Sequence, residues 1–278
     1  MMVRVVTDST ADVPADMVSA LGITVIPSYV VFGSESYRDG VELTKPQFYE
    51  KLLTTQTVPV TAAPSPHVYG EAYRRLSREA GEIISIHLAS KYSSLYSAAT
   101  IGAREVSEAT VAVVDSEQVT MGYGWMVVAA AEAAQQGATL AQIVALVEGM
   151  KPRSRVLAVL DTLDFLYRGG RVDWVQATLG TLLRIKPILE VRPGEILLAE
   201  RVRTLERALV RLLDRIRALG PLERAIVLHA NAPDLAHRMA DQLQTLVPDW
   251  DRLIGQAGVT IASHAGPGAV GIACVTAE

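Results

Sequence analysis

The sequence is poor in cysteine and in aromatic residues, and both shortages limit what kind of protein it can be. Its 278 residues include a single cysteine, Cys274, so no disulfide can form within the chain and a cysteine-based metal site is excluded. Aromatic side chains make up 5% of the residues, whereas hydrophobic residues make up 50%. We therefore expect an aliphatic core, large enough for one big domain or two ordinary ones.

Strong net charge and long apolar runs are also missing. The formal net charge is −4, and the Lys and Arg residues form no basic stripe with interleaved aromatics, which argues against general binding to nucleic acid. No run of about 18 uncharged apolar residues is present to span a bilayer. The chain begins with a strand pattern rather than with the three regions of a signal peptide, so we expect a soluble, cytoplasmic protein.

Short apolar runs alternate with helical patterns in the first half of the chain. Residues 3–6, 83–88 and 111–114 are predicted to be strands, and each is followed by a polar turn and a helix. Continuous apolar runs of this kind are typical of parallel strands that are covered on both faces. The fold class is therefore α/β, beginning with an N-terminal domain (residues 1–152) that contains a mostly parallel sheet with flanking helices.

The order of elements changes after residue 152, which predicts a C-terminal α/β domain with a mixed sheet (residues 153–278). Residues 185–202 are predicted to form an antiparallel hairpin, and residues 204–219 have the clearest helical period in the sequence. Residues 259–263 are predicted to be a closing strand. In the first domain, residues 54–66 contain three prolines and no helical period, so we expect a loop there.

A hydroxyl-rich turn centred on Ser93 lies between the strand ending at Leu88 and a predicted helix over residues 95–106. In open α/β sheets such turns hold anions, because the backbone N–H groups at the start of the helix carry a partial positive charge. The turn indicates an anion pocket with an apolar hole behind it. The alternative is that Ser93 only caps the helix.

A glycine-rich turn, residues 266–271, follows His264. Its letters match G-x-G-x-x-G, but the dinucleotide fingerprint needs a helix and an acidic residue about 20 positions later, and only seven residues remain. We therefore reject a nucleotide site. The turn is expected to fix His264 at the end of a strand, either as a proton-bearing group in a cleft or as a surface histidine. The other histidines have no ligand-type spacing, so a metal site is unsupported.

Two enzyme hypotheses remain open at this point. Ser93 and His264 could form a nucleophile–base pair, although the G-x-S-x-G elbow is absent around Ser93. Asp8 follows the first strand, with Asp12 four residues later, and it could be an aspartyl-phosphate nucleophile, an Asx-turn residue or a helix cap. Thr61 could be an ordinary loop residue, and Arg171 could be a surface charge or an anion contact.

Taken together, these segments resemble the DegV family of bacterial fatty-acid-binding proteins. The motifs that carry the resemblance run from end to end of the chain: Thr7-Asp8-Ser9, Tyr37-Arg38-Asp39-Gly40, Thr61-Ala62-Ala63-Pro64-Ser65-Pro66, Ser93 before Tyr96, Asp115-Ser116, Gly169-Gly170-Arg171, Lys186-Pro187-Ile188-Leu189 and His264-Ala265-Gly266-Pro267-Gly268. The resemblance implies a two-domain α/β protein that buries one long-chain fatty acid at or near the domain junction, with no cofactor and no catalysis of its own.

The resemblance also implies roles for particular residues. Thr61 and Ser93, with the neighbouring Ser94, hold the carboxylate near His264, and Arg171 contacts the anion or faces a kinase. That kinase is a separate, dihydroxyacetone-kinase-like fatty-acid kinase, which converts the bound acid to an acyl phosphate for phospholipid metabolism. Contact with a membrane surface would be transient.

Two stretches depart from the family pattern. Where the family usually has Ser-Gly-Thr-Tyr, this chain has Ser93-Ser94-Leu95-Tyr96, and where the family usually has Thr-Ser-x-Pro it has Thr61-Ala62-Ala63-Pro64. Each replacement removes a hydroxyl beside a carboxylate-binding residue, and the first also removes a flexible glycine.

Overall fold

The computed structural model describes residues 3–55, 59–171, 185–247 and 250–278, whose strands form three sheets. The strands are β1 (Arg4–Asp8), β2 (Thr24–Ile26), β3 (Tyr29–Phe32), β4 (Glu35–Arg38), β5 (Val60–Ala62), β6 (Glu82–His87), β7 (Thr110–Asp115), β8 (Ser154–Val159), β9 (Lys186–Arg192), β10 (Glu195–Val202), β11 (Leu222–His229), β12 (Ile254–Gln256) and β13 (Val270–Thr276).

The helices in the same residues connect and cover these sheets. They are α1 (Ala15–Leu21), α2 (Lys45–Thr54), α3 (Pro66–Ser77), α4 (Leu95–Arg104), α5 (Met121–Gln135), α6 (Leu140–Met150), α7 (Asp164–Arg168), α8 (Leu205–Ala218), α9 (Pro233–Leu246) and α10 (Val259–Ala265), with 3-10 turns at Ser9–Ala11 and Lys151–Arg153. None of the helices in the described residues is long and apolar enough to cross a membrane.

The first sheet is parallel throughout, in the order β2-β1-β6-β7. Helices α3 and α4 cover one face, where Val6 and Ile83 are buried, and α5 and α6 cover the other, where Ile84 and Ile86 are buried. This arrangement confirms the predicted parallel sheet with flanking helices. Because parallel strands end at one edge, the residues that follow β1, β6 and β7 lie close together there.

The second sheet is mixed, in the order β10-β9-β8-β13-β11-β12, and only its β11–β12 pair is parallel. Helices α8 and α9 cover one face, and α5 packs on the other. Since α5 contacts both large sheets, it has no solvated stripe, and 12 of its 15 residues are buried. The antiparallel pairing of β9 with β10 confirms the predicted hairpin.

The predicted strand over residues 259–263 is wrong, because this segment is the helix α10. β13 pairs with β8 on one side and β11 on the other, which leaves no place beside it for a strand from this segment. Asp39 accepts hydrogen bonds from the backbone N–H groups of Val259 and Thr260 and so caps the helix. His264 therefore lies at the end of a helix rather than of a strand.

The predicted loop over residues 54–66 is also wrong in part, because β5 lies within it. β5 pairs with β3 in a small antiparallel sheet of order β4-β3-β5, which places Thr61 opposite Val30. A three-residue edge strand beside a proline has no period of its own, and it forms because β3 supplies backbone partners.

The strands of the parallel sheet all precede residue 153, and those of the mixed sheet all follow it. Helix α10 crosses this division, since it packs against β3 and β5 of the small sheet. The domain boundary between residues 152 and 153 stays a prediction. What positions the site is the meeting of α10 with the end of the parallel sheet.

Candidate ligand-binding site

A cavity of about 160 Å³ lies between α10, the Ser93 turn and the hairpin β9–β10. Most of its wall is aliphatic, and the main contributors are Leu88, Leu95, Val156, Leu160, Leu189, Val191 and Ile196. Four predicted site residues reach the same cavity from separate segments: Thr61, Ser93, Arg171 and His264. The fold therefore combines an apolar space with a few convergent polar groups, which is the usual composition of a small-molecule site.

His264 makes a polar contact that joins two of these residues. Its Nε2 atom lies 3.0 Å from Thr61 Oγ1. Burial of the imidazole, together with the positive charge of Arg171, lowers the pKa of His264 from 6.5 to about 4. The ring is therefore neutral at neutral pH, and the hydrogen shared between Nε2 and Thr61 can come from either side.

Two glycines allow the helix α7 to approach His264. A Cβ atom on Gly169 would lie 2.7 Å from Nδ1 of His264, and one on Gly266 would overlap the ring of Phe165. Gly266 also has a φ of 75°, a conformation that side chains other than glycine rarely adopt. The sequence predicts that the turn after His264 fixes this residue, and in the structure Gly266 of that turn packs against Phe165 of α7.

Ser93 lies at the start of α4, and its Oγ atom accepts a hydrogen bond of 3.3 Å from the backbone N–H of Leu95. This is a serine-turn contact just before the N-cap residue Ser94, and it uses a lone pair of the hydroxyl rather than its hydrogen. No contact within the described part of the chain takes that hydrogen, while the side chain lines the cavity. The hydroxyl of Ser93 can thus accept from Leu95 and donate to a ligand at the same time. Ser94 is exposed, and its side chain is not part of the cavity wall.

Arg171 brings a positive charge to the apolar wall. Its guanidinium donates to the backbone carbonyl of Gly169 at 2.7 Å, and its backbone N–H donates to the carbonyl of Leu166 at 2.8 Å. These contacts hold the side chain beside His264, on the wall that Thr61 also lines. A guanidinium on an otherwise aliphatic wall suits an anionic group better than a neutral one.

Asp8 is fully buried, and donors surround its carboxylate. The backbone N–H and hydroxyl of Thr10, the hydroxyl of Tyr123 and Nδ1 of His87 all contact it. Burial alone would raise the pKa of Asp8, but the hydrogen bond and charge of His87, with the bonds from Thr10 and Tyr123, hold it below the ordinary value. Asp8 is the cap of the Ser9–Ala11 turn, which is one of the three roles the sequence allowed. Asp8 itself is not among the residues that line the cavity.

Ser93 and His264 line one cavity, but the nucleophile–base hydrogen bond of a hydrolase is not among the contacts of the described residues. The bond of the imidazole Nε2 goes to Thr61 instead.

Sequence reasoning missed three threonines of the wall, Thr10, Thr120 and Thr260. The polar turn after β1 is the only local signal for Thr10, and nothing local marks the other two.

Comparison with known proteins identifies the family of the chain. A family model described as "Uncharacterised protein, DegV family" matches residues 2–277 of the chain. The chain belongs to the DegV family. A DegV domain-containing protein of Streptomyces coelicolor is 36% identical to it over 274 residues, or 97% of each chain.

Solved structures of the family have the same fold. A fatty-acid-binding DegV family protein from Thermus thermophilus has a TM-score of 0.90 and 32% identity over 100% of both chains. DegV of Bacillus subtilis, described as a fatty acid binding protein, has a TM-score of 0.91 and 34% identity over 99% of this chain and 100% of its own. The family resemblance and the α/β fold class predicted from the sequence are confirmed.

Proposed function

We propose that the protein binds one long-chain fatty acid, with its carboxylate at Thr61, Ser93 and His264 and its alkyl chain along the aliphatic wall. The observation that carries this proposal is the cavity itself, in which hydroxyl, imidazole and guanidinium groups meet on an otherwise apolar surface. The family structures from Thermus thermophilus and Bacillus subtilis, both described as fatty acid binding, support it.

The donors suit a carboxylate, which has acceptors only. Ser93 has a hydroxyl hydrogen to give, Thr61 adds a second hydroxyl beside the imidazole of His264, and Arg171 adds charge. Without such donors a buried carboxylate would take up a proton. The aliphatic wall suits the tail, since each buried methylene contributes about 0.8 kcal/mol, or about 10 kcal/mol for a 16-carbon chain before ordering costs.

The proposal has a finer part, which concerns the use of the bound acid. We propose that the chain performs no catalysis and presents the carboxylate to a separate, dihydroxyacetone-kinase-like fatty-acid kinase in the cytoplasm. The acid would lie at the junction of domains 1–152 and 153–278. The saturated carboxylate of Asp8 and the Thr61 partner of His264 support a binding role over the hydrolase and phosphotransferase alternatives.

The binding proposal is tested with protein purified from cells. Mass spectrometry after denaturation is expected to detect a long-chain fatty acid. The double variant Ser93→Ala/Thr61→Ala should bind hexadecanoic acid at least tenfold more weakly, because each hydrogen bond to a charged group contributes about 1.5–3 kcal/mol. The matched control is Ser97→Ala/Thr100→Ala, whose hydroxyls bond to carbonyls within α4. Equal affinity of the two double variants would place the carboxylate elsewhere.

The kinase proposal needs its own measurement. Acyl phosphate is trapped with hydroxylamine in mixtures of this protein, hexadecanoic acid, ATP and a purified fatty-acid kinase. Product is expected only when both proteins are present. Product formed by this chain and ATP alone, and lost in Asp8→Asn, would establish the phosphotransferase alternative instead.

A further inference from the structure

Three threonines of the cavity wall have hydroxyls that hydrogen-bond to carboxylates behind the wall. Each hydroxyl lies within donating distance of a different aspartate, and we call the three pairs the capped wall. The pairs are Thr10 with Asp8, Thr120 with Asp12, and Thr260 with Asp39. Thr10 also contacts the hydroxyl of Tyr123, and Thr260 that of Ser28, so the hydrogen of either threonine has an acceptor within the protein in both arrangements. The binding proposal makes no use of these three aspartates, although the sequence draws attention to each of them.

The carboxylates of the capped wall have further donors that hold them in place. Asp39 accepts from the hydroxyl of Thr260 at 3.0 Å and from the hydroxyl of Ser9 at 3.1 Å, besides the backbone N–H groups at the start of α10. Asp12 accepts from the backbone N–H of Gly258 at 2.6 Å. Asp12 and Asp39 are therefore fixed to the start of α10, the helix that carries His264.

The hydrogen bonds of the capped wall determine what it can offer to a ligand. A hydroxyl has a single hydrogen, and a ligand carboxylate can only accept. A threonine that already donates to an aspartate therefore has nothing to give a carboxylate. The negative charge of Asp39 also repels an anion, and so does that of Asp12 at a pH above its raised pKa of about 7, because both act through a wall of low dielectric constant. The opposite holds at Ser93, whose hydroxyl hydrogen is available, and at Arg171, whose guanidinium is positive.

We propose that the capped wall sets the direction of the ligand, so that Asp8, Asp12 and Asp39 are specificity-determining residues that exclude the carboxylate from Thr10, Thr120 and Thr260 and direct it to Ser93 and Thr61. The ligand class is a long-chain acid with a single carboxylate. This inference rests on the proposed function and adds to it the reason why the head group binds at Ser93 and Thr61 rather than at the other hydroxyls of the wall.

The first test compares the same change at Thr61 and at two threonines of the capped wall. Thr61→Val, Thr10→Val and Thr260→Val each exchange a hydroxyl for a methyl group. Dissociation constants for hexadecanoic acid are measured by displacement of parinaric acid at pH 8.5, where Asp12, whose pKa burial raises to about 7, is ionised. Thr61→Val is expected to weaken binding at least tenfold, and the loss in the other two should be at least fivefold smaller. Thr10→Ala and Thr260→Ala replace any Val variant that does not fold.

The second test removes a charge from the wall. Asp39→Asn should bind hexadecanoic acid at least threefold more tightly relative to hexadecanol, because the alcohol has no charge to be repelled. Asp12→Asn makes the same change behind Thr120, and it serves if Asp39→Asn does not fold. An unchanged ratio of the acid and alcohol dissociation constants in the folded variant would overturn the electrostatic part of the inference.

The outcomes separate this inference from the binding proposal. If the wild-type protein binds hexadecanoic acid and Thr260→Val or Thr10→Val weakens binding as much as Thr61→Val, the capped wall donates to the ligand and the inference is wrong, while the binding proposal stands. If the wild-type protein does not bind hexadecanoic acid, both are wrong.

Discussion

The protonation of His264 gives a prediction about stability that can be worked out in detail. Burial and the charge of Arg171 lower the pKa of this residue from 6.5 to about 4. As the pH falls below 6.5, the unfolded chain takes up the proton first, so the free energy of unfolding decreases until the pH is below about 4. The difference between the two pKa values corresponds to about 3 kcal/mol, of which about 2 kcal/mol is lost between pH 7 and pH 5.

A second buried group acts in the opposite direction. Burial raises the pKa of Asp12 from 3.8 to about 7, although Lys45, Thr120 and the N–H of Gly258 partly oppose it. Between pH 7 and pH 3.8 the folded chain takes up this proton first, which increases the free energy of unfolding by about 2 kcal/mol by pH 5. The two effects nearly cancel in the wild-type protein, so its stability curve alone does not report on His264.

The assay is therefore a comparison of variants in ligand-free protein. Urea unfolding of the wild type and of His264→Gln is measured at pH 7 and pH 5. The variant lacks the imidazole, so its stability relative to the wild type should rise by about 2 kcal/mol as the pH falls. His67→Gln, which removes an exposed imidazole on α3, controls for the substitution. If the difference between wild type and His264→Gln is equal at both pH values, the ring is not a buried neutral base.

Two further predictions concern packing at the site and in the core. Gly169→Ala should weaken binding of hexadecanoic acid about tenfold in the displacement assay, because the new Cβ would lie 2.7 Å from His264 Nδ1 and move the ring away from Thr61. Gly149→Ala, whose Cβ would meet nothing within 4 Å, should bind normally. Equal affinities of the two variants for hexadecanoic acid would show that Gly169 does not affect the site. Asp8→Asn should lower the free energy of unfolding in urea by about 3 kcal/mol, since the amide would face the Nδ1 donor of His87; unchanged stability would contradict the buried network.

Much of the fold could be predicted because its determinants are local. The helical period over residues 204–219 matches the observed α8, and the hairpin of β9 and β10 forms around its own turn. The apolar runs of β1 and β6 are buried on both faces, as continuous runs predict, whereas β7 at the edge of the sheet is mostly half-buried. In each case the sequence pattern that predicts the element lies within the residues that form it.

The errors fall where a segment depends on distant partners. The β-branched residues of α10 favour a strand, but Asp39, far away in the sequence, caps the helix. β5 exists because β3 lies beside it. Local propensity is overruled in both places by hydrogen bonds that no short window of sequence contains.

The site could be predicted only in part, and for the same reason. The family resemblance indicated Thr61, Ser93, Arg171 and His264, and the structure brings these side chains to one cavity. The contact between His264 and Thr61 depends on α10 packing against β5, which the sequence did not predict. Part of the aliphatic wall comes from alternate residues of β8 and β9 in the other half of the chain, and alternation alone does not tell which face meets a cavity.

The positions of Asp8 and Ser93 show why location alone does not identify a functional group. Both follow parallel strands at the edge of the sheet where α/β proteins bind ligands. The carboxylate of Asp8 accepts four hydrogen bonds, two from Thr10 and one each from Tyr123 and His87. Its hydrogen-bonding capacity is thus used within the protein, behind the wall residue Thr10. Ser93 accepts one bond from Leu95 and keeps its hydrogen, so it can still contact a ligand. What separates the two residues is the hydrogen-bonding capacity that the fold leaves unused, and this follows from the partners rather than from the motif.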